Sequence, residues 1–165
     1  MRLPITIAAI LVASLSWNAP MFSASPVQVV QKSPTNNSNF RQLKLNQRSW
    51  ERQKITNYRY TLTNQCFCVS EVRGPLNIEV RNGVTTSITN AQTGQPVNSE
   101  LVSSYTTIPK LFNLISNTID SGESQLSVTY NRKLGYPAQI NIGNLAADAG
   151  AYITISNLQE LPKGL

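Results

Sequence analysis

Hydrophobic and polar residues alternate with period two through "NYRYTLTNQCFCV", residues 57–69. Tyr58, Tyr60, Leu62, Cys66 and Cys68 fall on one face, and Arg59, Thr61, Thr63 and Gln65 on the other. That is the pattern of a strand buried on one side. "RGP" at Arg73 to Pro75 breaks it, and two further strands follow, "LNIEV" and "VTTSI", around "RNG". A two-residue Asn82-Gly83 loop would set Val84 opposite Arg81 and split the apolar residues between faces. A three-residue loop, Arg81 to Gly83, pairs Val80 with Val84, Ile78 with Thr86 and Leu76 with Ile88. The agreement of faces predicts the three-residue form.

Helical spacing appears twice. Phe40, Leu43, Gln47 and Trp50 share one side of a helix ending near Asn57, with Arg41, Lys44, Arg48 and Arg52 recurring at spacings of three and four on the other. After a polar loop from Asn90 to Thr106 comes "TIPKLFNLISNTIDSG". Thr107 is its N-cap, Pro109 lies in its first turn and Gly122 ends it, and Ile108, Leu111, Phe112, Leu114, Ile115 and Ile119 form its apolar stripe. Three more strands follow in "QLSVTYN", "AQINI" and "AYITISNL". The order is α-βββ-α-βββ. It predicts an α+β domain, an antiparallel sheet of about six strands with two helices packed on one face.

The first residues change the picture of the compartment. One cation at Arg2, an apolar run from Ile5 to about Leu15 and small residues after it have the layout of a signal peptide, with cleavage placed after Ala24. The run is shorter than the roughly 20 residues of a membrane-spanning helix. The expected organisation is a signal peptide at 1–24, a flexible linker at 25–39, a single domain at 40–158 and a tail at 159–165. The protein is expected to be exported, periplasmic or extracellular, with no transmembrane anchor in the mature chain.

Composition then removes chemistries. The chain has no histidine, which is the commonest general base near neutral pH and the commonest transition-metal ligand. The acids are scattered without a D-x-D loop, and neither a Gly-rich phosphate loop nor a G-x-S-x-G elbow is present. The expectation is a non-enzyme with no cofactor and no metal. A net charge of +6 with 13% charged residues is sparse for a nucleic-acid binder. The expected partner is an envelope protein or an anionic surface, which the stripe Arg41, Lys44, Arg48 and Arg52 would meet. The commoner reading of such a stripe is a solvated helix face. Tyr136 in "GYP" reads either as an exposed binding platform or as part of a turn between strands.

Cys66 and Cys68 are the chain's two cysteines. Two thiolates cannot complete a tetrahedral metal site. In a regular strand, positions two apart lie about 6.6 Å apart, whereas a disulfide wants β-carbons near about 3.8 Å; a bond would need a kink at Phe67. Buried thiols, a short-range disulfide and a redox-active pair remain open.

The series "NYRYTL…CFC", "IEVRNGV", "LFNLI", "VTYNRKLGYPAQI" and "TISNL" resembles the exported, mostly bacterial domain-of-unknown-function family six-one-seven-four, from about Trp50 to Leu158. The resemblance implies secreted or lipid-anchored members without an assigned activity, and it carries Cys66, Cys68, Tyr136 and Pro137 over as motif residues. The chain departs from it after the GYP strand, where acids are expected and Gly143 and Asp148 stand, and in lacking a lipobox cysteine. These readings together predict a non-catalytic exported cell-envelope domain that binds or supports. The alternatives are a thiol redox accessory protein using the CFC pair and inhibition of an envelope hydrolase by a sheet surface.

Overall fold

A computed structural model describes residues 34–123, 125–143 and 150–162. The signal-peptide span, linker residues 25–33 and the last three residues lie outside that set. The elements are α1 (Pro34–Gln53), β1 (Tyr58–Cys66), α2 (Ser70–Arg73), β2 (Leu76–Arg81), β3 (Val84–Asn90), a 3-10 turn (Ser99–Tyr105), α3 (Ile108–Asp120), β4 (Leu126–Tyr130), β5 (Pro137–Ile142) and β6 (Ala151–Glu160).

The strands form one antiparallel sheet in the order β3-β2-β1-β6-β5-β4. Each half of the chain is a three-strand meander, and the two meanders join where β1 meets β6. Because side chains alternate across a strand, Tyr58, Tyr60, Leu62, Ile78, Ile140 and Ile153 all point to one buried face. Both long helices cover that face. Tyr58 ties them together: its ring stands edge-on to Trp50 of α1, at 5.4 Å between centroids, and its hydroxyl accepts the Ile108 N–H at the start of α3, 3.0 Å away. Fold class and helix placement are as expected. Each fully buried aliphatic or aromatic side chain stabilises the fold by about 1.5–3 kcal/mol.

α3 follows its sequence signals closely. The Thr107 hydroxyl accepts the Lys110 N–H, Pro109 sits in the first turn, and Ile108, Leu111, Phe112, Ile115 and Ile119 are buried. α1 departs from expectation in two ways. It begins at Pro34, so 34–39 are helical and not linker; proline suits a first helical turn because its missing N–H has no partner there. Its N-terminal part also reaches the outer edge of the sheet, where Asn39 Nδ2 donates to the β4 carbonyl of Leu126 at 3.0 Å. Leu43 and Trp50 are buried, but Phe40 is 39% exposed and not in the core. It lies about 60° around the helix from Leu43, toward Lys44. The helix stops at Gln53, short of Asn57, with Lys54 in a left-handed conformation at φ 53°.

Three further corrections concern loops and ends. The β2–β3 turn is the two-residue Asn82-Gly83 form, with Arg81 opposite Val84. Both central residues have positive φ, 50° and 77°, as such a turn requires. An extra residue at Thr86 then shifts the register, so Ile78 faces Ile88, and the bulge restores the common face. The 90–106 segment is not a plain polar loop: it holds the 3-10 turn, capped by Asn98 and burying Val102. Nor is the chain after Leu158 a free tail, since β6 runs to Glu160 and the Leu161 N–H donates to the Asn57 carbonyl at 2.9 Å.

Candidate functional site

The cysteines stand where β1 ends. Cys66 is its last residue, and the chain bends at Phe67 so that Cys66 and Cys68 are bonded to each other with Cα atoms 5.3 Å apart. Strand character stops there and does not continue to Val69. Both cysteines are half-buried and pack against the core, while Phe67 (67%) and Val69 (55%) project into solvent. α2 turns the chain back, and Arg73 closes the loop by donating from Nε and Nη2 to the Cys68 carbonyl at 3.0 and 2.9 Å. Such a two-pronged, charge-assisted contact fixes position as well as adding energy. Gly74 follows at φ 81°, where a Cβ would stand 2.6 Å from the Leu62 carbonyl. A cleft of about 420 Å³ opens beside this loop, next to Asn64, whose Oδ1 is buried without a partner.

Tyr136 is not a surface platform. It is 8% exposed, stands edge-on to Trp50 at 6.2 Å, and its hydroxyl accepts from Asn131 Nδ2 at 3.3 Å. Asn131 organises the whole β4–β5 loop: its Oδ1 accepts the Lys133 and Leu134 N–H groups, and its backbone bonds both Tyr136 and Gly135. The L-G-Y-P stretch is therefore a packing device that seats this loop on α1.

Arg41, Lys44, Arg48 and Arg52 are all exposed on α1, on the side away from Leu43 and Trp50. Lys44 Nζ lies 5.4 Å from the centre of the Phe40 ring. Among the described residues Glu79 is held 2.8 Å from Arg81 on the sheet, and no ion pair joins an α1 cation to a carboxylate of that set. Leu45, 52% exposed, lies within the same solvent face. The structure thus keeps the basic stripe together but brings neither Tyr136 nor the cysteines into it. Sequence reasoning missed Leu45. The signal for Leu45 was an apolar residue out of register with Leu43 and Trp50.

The uncovered face of the sheet carries amides and hydroxyls, several of which bond one another, while Asn141 Oδ1 is buried without a partner. Arg59 donates twice to Gln159 Oε1 at 3.0 and 2.7 Å, and the Thr61 hydroxyl reaches Asn77 Oδ1 at 3.2 Å. Its depression has a volume of about 310 Å³. A wider groove of about 760 Å³ runs between edge strand β3 and the start of α3. The segment Gln95–Val97 already pairs with part of that edge.

Buried tyrosines dominate the electrostatics. Burial pushes Tyr58 up to about 12, only partly offset by the Ile108 N–H. Burial also raises Tyr60, whose hydroxyl donates to the Tyr105 carbonyl at 2.5 Å, as well as Tyr130 and Tyr136. These groups stay neutral at physiological pH; the hydroxyls of Tyr58, Tyr60 and Tyr136 are hydrogen-bonded, and that of Tyr130 is buried without a partner. Among the described residues no group of three or more Cys, Asp or Glu side chains converges as a metal site would require, and no helix is long and apolar enough to cross a membrane.

The family described as a family of unknown function, DUF6174, matches residues 42–160. The chain belongs to that family. The DUF6174 match takes in most of α1 and runs to the end of β6, so it covers all six strands, the bonded cysteines and the Gly135–Tyr136 packing device. No curated protein and no solved structure matches the chain.

Proposed function

We propose that this DUF6174 chain is a non-catalytic exported domain of the cell envelope that works by binding, and that its contact surface is the basic face of α1, directed at an anionic envelope component. One observation carries the reading: Arg41, Lys44, Arg48 and Arg52 lie exposed on a single helix face, with no carboxylate at contact distance among the described residues. Unpaired cations on a rigid, core-anchored helix retain their attraction for an external anion. Near an anionic surface each contributes about 1 kcal/mol, so the stripe supports weak binding, with Kd on the order of 1 mM. Export is supported by the N-terminal charge and hydropathy pattern. Envelope fragments from the producing cells should co-sediment the wild-type chain at low salt and lose it when the four residues are changed to Gln. Equal co-sedimentation would contradict the reading.

A thiol redox accessory role draws on the bonded Cys66–Cys68 pair beside exposed Phe67. In that role the reduced pair would pass two electrons to a partner's disulfide, releasing two thiols there while its own bond forms. Turnover of a model disulfide that Cys66→Ser abolishes would favour it over the binding role.

A further inference from the structure

We infer that the anionic component is the surface of a lipid bilayer, and that Phe40 and Leu45 are the side chains that enter it. This rests on the binding role proposed for α1 and names the partner of that same face.

The argument starts from which groups the helix exposes beside its cations. Leu45 stands one turn from both Arg41 and Arg48, the spacings at which helix side chains are neighbours, and is 52% exposed. Phe40 lies on the other flank, one turn before Lys44, 39% exposed with the Lys44 ammonium 5.4 Å from its ring centre. Toward its N-terminal end the row of cations is therefore bordered on both sides by partly exposed apolar side chains, with the exposed Glu51 on the Phe40 flank at the other end. An acidic polymer would neutralise the cations and leave both apolar groups wet. A bilayer interface accepts both kinds at once, because phosphates meet the cations at the headgroup level while apolar side chains reach the acyl boundary.

The mounting of the helix sets the depth. Leu43 and Trp50 are buried against the domain, and Gly135 is seated so closely on α1 that a Cβ there would lie 2.6 Å from the Asn46 carbonyl. α1 cannot roll to present its core side to lipid, so only the rim residues enter. From Arg41 to Arg52 the stripe spans about 16 Å at the helical rise, a straight contact suited to a plane. The exposed cations Arg132 and Lys133 occupy the loop that Gly135 seats on the same helix, adding positive charge beside it. The result is shallow, salt-reversible attachment.

The test uses the exported chain, its N-terminus defined by mass spectrometry. Vesicles of phosphatidylcholine, with or without phosphatidylglycerol, are compared with beads carrying dextran sulfate. Wild type should sediment with the anionic vesicles and not the neutral ones. The double variant Phe40→Ser, Leu45→Ser should lose about fivefold to tenfold in vesicle partitioning while holding dextran sulfate as wild type does. The variant with Arg41, Lys44, Arg48 and Arg52 all changed to Gln should lose both, at about fivefold per charge. If the double variant partitions like wild type, or wild type holds dextran sulfate but no vesicle, the bilayer inference is overturned and the anionic-surface reading stands. If the charge variant behaves as wild type, or wild type binds neither probe, both fall. The altered side chains are exposed, and unchanged melting temperatures would confirm that fold is not what was lost.

Discussion

Gly135 rests against Asn46 of α1 with so little room that a Cβ on it would stand 2.6 Å from the Asn46 carbonyl oxygen, and 2.7 Å from the Ser49 Cβ. Its φ of 85° is one that other residues adopt only with strain. Gly135→Ala should therefore cost about 2–4 kcal/mol through clash and backbone strain together. Denaturant midpoints of the two proteins measure it, and a loss under about 0.5 kcal/mol would mean that the loop lifts off α1 freely.

The neighbouring side chain makes a second prediction. Tyr136 fills the space against Trp50 and makes one long hydrogen bond, at 3.3 Å, to Asn131. Tyr136→Ala should cost about 3–5 kcal/mol by emptying that space, whereas Tyr136→Phe should cost about 1 kcal/mol or less. Urea unfolding of both variants separates packing from the hydroxyl. Comparable losses in the two would show that the hydroxyl, and not the ring, holds the loop.

The cysteine loop predicts a small effect. Cross-linking residues separated by two positions closes so short a loop that the chain-entropy gain is only about 1.6 kcal/mol, and Arg73 holds the Cys68 carbonyl independently. Changing both cysteines to Ser should lower stability by no more than about 2 kcal/mol. Adding Arg73→Gln should cost about 1 kcal/mol further, and proteolysis within residues 66–74 should then speed up. Unfolding of the double serine variant at room temperature would overturn this.

With no histidine in the chain, no side chain of ordinary pKa changes charge between about pH 6 and 8, so stability should be flat there. The alkaline limb belongs to tyrosine. Tyr58 ionises near 10.0 when unfolded but near about 12 when folded, so the unfolded chain releases its proton first as pH rises. Stability is thus complete below about pH 10 and falls between 10 and 12, with Tyr60, Tyr130 and Tyr136, also shifted upward, steepening the fall. Midpoints at pH 7, 9, 10 and 11 trace it; Tyr58→Phe should flatten it. A midpoint unchanged at pH 11 would refute the assignment.

Much of the sheet was legible because strands buried on one side leave a period-two record: Tyr58, Tyr60 and Leu62 name their own face, and Thr107 with Pro109 names the start of α3. The β2–β3 turn was misread because alternation assumes uninterrupted pairing. A single bulged residue at Thr86 lets Asn82-Gly83 make the tighter turn while Ile78 still meets Ile88. Phe40 was misplaced because helical periodicity does not record where the supporting sheet ends. The turn reading of Tyr136 places it rightly between β4 and β5, but a platform could also be read there because the contact that buries it comes from Gly135 meeting a helix some ninety positions earlier. Of the candidate site, the row of cations could be read from spacing. The exposure of Leu45 beside it depended on which sector of α1 the domain covers.

The central claim is that the position of positive charge, and not its amount, directs this protein to an anionic surface. Two variants with the same net charge put it most directly to the test: Arg48→Gln with Arg52→Gln on α1, and Arg59→Gln with Arg81→Gln on the sheet. Retention of each on isolated envelopes should be followed across a salt gradient. The α1 pair should elute at markedly lower salt than wild type, and the sheet pair should elute with wild type. Coincident elution of the two variants would contradict the account.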